Sequence, residues 1–262
     1  MIQPATRRRF RPDIAIALLL LLIPLIVSIF FFLPRYYQFT ALGKIVSVRD
    51  IGLKGSVNFC YVREGVTRNL YERWVIGRAI PDAKFELADA SVEDEYSDMI
   101  ETGEESRNET ILNAITSAEE QSTEAVSQND QNDFDQKLDA LIEETGGYYG
   151  DSFGLMLGIG LVEEAENEDF SKSGTIVIAG TGTMEADHSV GSVGSIHDKL
   201  LTAEKFSTDY FFVPKDKETF AYVGLSNEEE AEQVSHSLNL KLTVVPVASL
   251  EEALQYLSNL NT

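Results

Sequence analysis

Hydrophobic and polar positions follow several distinct patterns along the chain. Residues 14–33 are uninterrupted by charge, and a run of about twenty apolar residues is long enough to cross a bilayer as a helix. Pro24 inside that run is tolerable in lipid. From residue 41 the pattern changes to alternation. Residues 44–50 and 57–62 read as two strands, with turns at 52–56 and at Glu64-Gly65. Residues 70–76 fit either a third strand or a short helix. In the next region Ile111, Leu112, Ala114, Ile115 and Ala118 recur at helical spacing, as do Phe134, Leu138, Leu141 and Ile142. Two amphipathic helices joined by a polar link at 121–131 are expected there.

The last part of the chain alternates strands and helices. Residues 155–162 are an apolar, helix-like run, and 175–179 read as a buried strand. A helix is expected from about His197 to Phe206, then a strand at 210–214. Ser226, with acids in the following turn, marks the start of a helix over 227–238. A strand follows at 242–247, and Ser249 caps a final helix with Leu250, Ala253, Leu254 and Leu257 on one face. The alternation predicts an α/β (α+β) fold.

Charge narrows the classes of partner. The formal net charge is -22. Phosphate binding needs clustered Lys and Arg, so this charge argues against nucleic acid, and none is expected as a partner. The acids concentrate in residues 81–145, opposed there by Lys84, Arg107 and Lys137 alone. That run reads as a solvated face. Asp130-Gln131-Asn132-Asp133-Phe134-Asp135 lacks the glycine and the closing glutamate of a calcium loop, and no metal or other cofactor is expected. Cys60 is the single cysteine, so no intrachain disulfide can form, and its apolar neighbours suggest a buried, inert thiol. Asn108-Glu109-Thr110 fits a glycosylation sequon, a triplet common by chance.

The candidate chemistry lies between residues 146 and 199. Gly150-Asp151-Ser152-Phe153-Gly154 places a serine between glycines just before an apolar helix, where free N–H groups and the helix dipole can stabilise an oxyanion. A serine hydroxyl needs a neighbouring base to be a useful nucleophile. Lys199 can be that base only when neutral, and burial among Val193, Ile196 and Leu200 would favour the neutral form. Each residue also has a plainer reading: Ser152 as a helix N-cap, Lys199 as a surface lysine. His188 and His197 lie near the motif and His236 in an acidic helix, but no Gly-x-Ser-x-Gly elbow marks a Ser-His-Asp triad.

These residues carry a resemblance. Gly150-Asp151-Ser152-Phe153-Gly154 resembles the Gly-Pro-Ser-Ala-Gly of Lon-type (S16) serine peptidases. Val193-Gly194-Ser195-Ile196-His197-Asp198-Lys199 resembles their Ile-Gly-Gly-Ile/Leu-x-x-Lys, and Thr181-Gly182 matches their Thr-Gly pair at the family's spacing before the lysine. The resemblance covers roughly residues 146–257. It implies a Lon-type proteolytic domain in which Ser152 is the nucleophile, Lys199 the general base and Thr181 the hydroxyl that orients it, with Asp151 and Gly150 in support. It departs from the pattern at Asp151, at Phe153 (which would stand beside the nucleophile and narrow its pocket), at Tyr148-Tyr149 and at Ser195.

The expected organisation is a basic cytoplasmic tail over 1–13, a transmembrane signal anchor over 14–34, a β-rich start of the peptidase domain over 41–80, an acidic helical segment over 81–145 and the proteolytic core over 146–262. Arg7, Arg8, Arg9 and Arg11 place the N-terminus in the cytoplasm and the remainder outside, with membrane lipid met through residues 14–34. A cleaved signal peptide fits less well, because the apolar run is long and no small-x-small site follows promptly. No Gly-x-x-x-x-Gly-Lys-Ser/Thr loop occurs, so the activity expected is ATP-independent cleavage of peptides or unfolded segments. Domains of this type often form hexamers, so a homo-oligomer is compatible with the resemblance. The alternative is a catalytically inactive binding or scaffolding protein on the same fold.

Overall fold

The computed structural model describes residues 12–122, 131–215 and 224–261. Two compact units are formed, one by Met1–Phe39 with Gly65–Val92 and the other by Thr40–Glu64 with Glu93–Thr262.

The chain enters through helix α1, Pro12–Phe32, which carries Asp13 in its first turn and Pro24 inside. Its apolar side chains stand exposed, Leu18 at 64% and Leu21 at 68%. The transmembrane anchor expected over 14–34 needs correcting: among the described residues, no helix is long and apolar enough to cross a membrane. Strand β1 (Pro34–Ser47) and strand β2 (Asn58–Asn69) follow, with a 3-10 turn at Val48–Ile51 between them. The turn expected at Glu64-Gly65 lies instead inside β2; a Cβ at Gly65 would meet the Phe39 ring at 2.6 Å, so the glycine serves close packing. Residues 70–76 belong to helix α2 (Leu70–Ala79), started by Asn69, whose side chain accepts from the Glu72 N–H. Arg73 lies over the rings of Tyr37 and Phe85, and Phe85 belongs to strand β3 (Lys84–Leu87).

The second unit contains the two amphipathic helices, α3 (Val92–Gln121) and α4 (Gln131–Glu144). Then come helix α5 (Gly154–Glu166), strands β4 (Ile178–Gly180), β5 (Thr183–Met184) and β6 (Val190–Gly191), helix α6 (Ile196–Lys205), strand β7 (Tyr210–Pro214), helix α7 (Asn227–Leu238), strand β8 (Thr243–Val247) and helix α8 (Leu250–Asn261). The sheet order is β3-β1-β2-β4-β7-β8, and β2, β4, β7 and β8 are mutually parallel. The architecture is mixed α/β.

Alternation along the central strands sorts the core into two layers. Ile178 and Phe212 point to one face and pack with Leu155, Met156 and Ile159 of α5 and Leu257 of α8. Ala179, Phe211 and Val213 point to the other and pack with Ile196, Leu200 and Ala203 of α6 and Ala231 of α7. Both faces are therefore covered, and a parallel strand so placed is apolar throughout rather than alternating. The consequence for the site is direct. Helix α5 lies on one side of the sheet and α6 on the other, and the chain leaving the C-terminal end of β4 passes between them. Crevices at the carboxyl ends of parallel strands are the usual ligand sites of open α/β sheets.

Gly154, the first residue of α5, makes this approach possible. A Cβ there would lie 2.2 Å from Thr110 Oγ1 and 2.7 Å from the Met184 backbone N. Gly154→Ala is expected to cost roughly 1–3 kcal/mol, because the backbone must move to accept the methyl group. Urea denaturation of the purified variant checks this, and a loss below about 0.5 kcal/mol would mean that the junction is looser than described.

Candidate active site

Ser152 stands one residue ahead of the α5 N-cap. That position is held by Phe153, which makes no side-chain cap. The plain reading of Ser152 as a capping serine is thereby removed. Its backbone is fastened instead: the Ser152 carbonyl accepts from the Gly182 N–H and from the Thr181 hydroxyl, each at 2.9 Å. Gly182 returns the contact through its own carbonyl, which accepts from the Leu155 N–H at 3.0 Å. Ser152 is half-buried, whereas Phe153 is turned into the core, its ring 5.5 Å from that of Phe59. The expectation that Phe153 narrows the pocket beside the nucleophile is thus corrected, since core packing points the ring inward.

Lys199 comes from the opposite layer. It lies on the inner face of α6, between Ile196 and Leu200, and is only 4% exposed. Its Nζ donates to Thr181 Oγ1 at 3.0 Å. A threonine hydroxyl has one proton, and here that proton goes to the Ser152 carbonyl. The lysine is therefore the donor in the Lys199–Thr181 bond, and when it is neutral its lone pair is free to take a proton from another group. Burial lowers the Lys199 pKa to about 8, against the smaller opposing influences of Cys60, Asp151 and Glu64. Among the described residues, Ser152 Oγ and Lys199 Nζ are not hydrogen-bonded to one another.

The sequence candidates are accordingly brought together. Ser152, Thr181 and Lys199 form one connected chain of contacts, and Asp151 lies close enough for its carboxylate to feel the Lys199 charge. Burial raises the Asp151 pKa; a backbone hydrogen bond and Lys199 pull it down, while Glu185 and Glu109 add to the rise. Gly150 adopts φ 87°, a left-handed conformation that suits glycine, and its N–H donates to the Gly103 carbonyl at 2.9 Å. Ser195, which stands where the Lon-type motif has glycine, also takes a left-handed conformation, φ 60°. Cys60 is buried with its thiol pKa pushed up to about 12 by desolvation, a chemically quiet group whose Sγ faces the Lys199 carbonyl.

The histidines form no competing centre. His188 Nδ1 is 2.8 Å from Ser117 Oγ and its Nε2 is 3.2 Å from Glu120 Oε2, a Ser-His-Glu arrangement in appearance. Ser117, however, is 1% exposed and sits within α3, where no substrate can reach it. Among the described residues, no cluster of three or more His, Cys, Asp or Glu could hold a metal ion. The faint calcium-loop segment begins at residue 130, outside the described residues, and continues into α4.

Helix α3 contributes residues that the sequence reading left in a solvated face. Thr110 Oγ1 accepts from the Met184 N–H at 2.8 Å, and Asn113 Nδ2 donates to the Met184 carbonyl at 2.9 Å. Arg107 is 6% exposed and donates to carbonyls just before the serine loop. Their spacing, with Gly103, Arg107, Thr110 and Asn113 on one helical stripe, was the available signal. It is a polar stripe, so a search for apolar periodicity passes over it.

No protein-family model matches the chain, and no curated protein matches it either. The chemical reading is carried by the geometry and by the residues themselves.

A buried lysine with a depressed pKa has a stability signature that needs no substrate. Unfolded lysine titrates near 10.5 and folded Lys199 near 8. Between these values the unfolded chain binds more protons, so this residue adds stability as pH rises from about 8 to about 10.5. Lys199→Met keeps the volume and removes the titration. The difference in urea-unfolding free energy between wild type and Lys199→Met should favour the variant most below pH 8 and shrink steadily above it. A difference that is flat with pH would mean that Lys199 is not buried in this way.

Proposed function

We propose that this protein is a serine peptide hydrolase of Lon type that uses Ser152 as nucleophile and Lys199 as general base. The observation that carries the reading is the buried Lys199 Nζ, which donates to Thr181 Oγ1 and so keeps its lone pair uncommitted when neutral, on a residue whose other bond runs to the Ser152 carbonyl. A surface lysine has none of these properties. The resemblance of Gly150–Gly154, Thr181-Gly182 and Val193–Lys199 to the Lon-type motifs supports the same assignment.

In the proposed reaction the Ser152 hydroxyl turns toward Lys199 and attacks a peptide carbonyl as its proton passes to the neutral amine. Lys199 then gives that proton to the departing amine, leaving an acyl group on Ser152. Water, deprotonated by the same lysine, releases the acid and restores the serine. Thr181 keeps the amine aligned throughout and stays a hydrogen-bond acceptor toward it. The polypeptide carbonyl is the natural substrate class, and no nucleotide takes part in any step. Catalytic hydrogen bonds commonly close only when substrate is bound, which accommodates the separation of Ser152 Oγ from Lys199 Nζ.

That separation is also the observation favouring the second reading, an inactive binding or scaffolding protein on the same framework. Kinetics decides between them. Against a panel of extended unfolded peptides, Ser152→Ala and Lys199→Ala should each lower kcat/KM by about a thousandfold or more, and the double variant should be no worse than either. Thr181→Val should lower turnover while leaving the fold intact, by roughly tenfold or more, because it removes both the bond from Lys199 Nζ and the bond to the Ser152 carbonyl. Cleavage by wild type should rise about tenfold per pH unit below about 8 and level off above it, because only neutral Lys199 can take the proton. Peptides left intact across the whole panel by wild type, or cleaved equally by Ser152→Ala, would assign the scaffold.

A further inference from the structure

The least expected residue near the site is Arg107. It is the only basic residue of α3 and is flanked by Glu104, Glu105 and Glu109, yet it is buried. A buried cation is costly unless its donors are satisfied, and carboxylates are the usual partners. Arg107 donates instead to backbone and amide oxygens. Its Nη1 reaches the Tyr148 carbonyl at 2.8 Å and the Thr145 carbonyl at 3.4 Å, and its Nε and Nη2 reach Asn108 Oδ1 at 3.3 and 3.2 Å. Asn108 thereby holds the guanidinium plane while the outer nitrogen does the work. Capping the end of α4 would be a sufficient structural role if Thr145 were the main acceptor. The shorter bond, however, goes to Tyr148, beyond the helix and four residues before Ser152.

Neighbouring contacts on the same helix stripe act on the same loop. The Gly103 carbonyl, one turn before Arg107, accepts from the Gly150 N–H at 2.9 Å, and a Cβ at Gly103 would crowd that nitrogen at 3.0 Å. Tyr96, two turns earlier again, sets its ring edge-on to Tyr149 at 6.4 Å. On the other side, Thr110 and Asn113 hold Met184, which follows the Thr181-Gly182 pair in the chain. One helix thus grips the segment leading to Ser152 and the segment leading from Thr181.

We propose that Arg107 is a positioning residue: its buried guanidinium, aimed from α3 at the Tyr148 carbonyl, sets the loop that carries Ser152 against the Thr181–Lys199 pair. The kinetic side of this statement rests on the peptidase reading, whereas the structural side does not. Arg107 touches no reacting atom and acts only through residues 148–152. The acidic segment is then a scaffold of the site as well as a charged surface.

The test uses the full chain with Arg107→Ala and Arg107→Lys, measured by amide hydrogen exchange and by peptide cleavage. In Arg107→Ala, amides of residues 146–152 should exchange between about tenfold and a hundredfold faster, the effect of losing a hydrogen bond to a charged donor, with β7 and α7 unchanged. Arg107→Lys keeps the charge without the fork and should fall between the two. If Arg107→Ala does not fold, the lysine variant carries the comparison. Cleavage should lose kcat with KM and the apparent pKa of Lys199 unchanged, and millimolar guanidinium should restore part of the loss in Arg107→Ala. Exchange that is unaltered in 146–152, or that accelerates equally across the whole second unit, would overturn the proposal. So would a loosened loop with undiminished kcat in a chain that cleaves peptides. If wild type cleaves nothing, the peptidase reading falls, and the placement of the loop by Arg107 stands or falls on the exchange result alone.

Discussion

Everything in the candidate site depends on one buried hydrogen bond, from Lys199 Nζ to Thr181 Oγ1. It joins the two helix layers across the end of β4, with Lys199 as donor in either charge state, while the surrounding packing lowers the lysine's pKa to about 8. Burying a lysine is costly near neutral pH, because the charged form must be desolvated or a proton given up, so this fold gives up stability at Lys199. The hydroxyl between the amine and the Ser152 carbonyl gives the arrangement direction. With its single proton committed on one side, Thr181 can only receive on the other.

The sheet explains why three residues so distant in sequence meet. Strand β4 is three residues long, and its neighbours β2 and β7 are parallel to it, so its carboxyl end opens between α5 and α6. Residues just past that end reach both layers, and Thr181 and Gly182 do so, one by its side chain and one by its backbone. Helix α3 closes the arrangement from outside the sheet. Its contacts to Gly150, Tyr148 and Met184 are polar and local, which suits a support that must fix geometry without filling the crevice.

Much of this fold could be read in the order of residues, and the failures have particular causes. The closing strands and helices were legible because their signals are local: Ser226 and Glu229 form a capping box, and Leu250, Ala253 and Leu257 repeat on one face. Glu64-Gly65 resembled a turn because glycine often marks one, but here the glycine admits the Phe39 ring within β2. The first half of α3 carries no apolar repeat, so only its C-terminal turns were visible as helix. The apolar run near the N-terminus did form a helix, but among the described residues no helix is long and apolar enough to cross a membrane.

The sequence by itself determined the alternating α/β pattern of the last third, whereas the pairing of Thr181 with Lys199 was implied by the resemblance to the Lon-type motifs. It also placed one serine, between glycines, ahead of an apolar helix. These follow from residue type and interval, which local backbone rules translate directly into structure. The tertiary structure decided that Lys199 is buried, that Phe153 packs inward against Phe59, and that Arg107 leaves an acidic helix to hold the Tyr148 carbonyl. Burial and side-chain direction are sums over contacts from remote parts of the chain, and Lys199 meets Cys60 and Thr181, and feels the charge of Asp151, as well as its own helix. No local pattern contains that sum, because it exists only once the strands have paired.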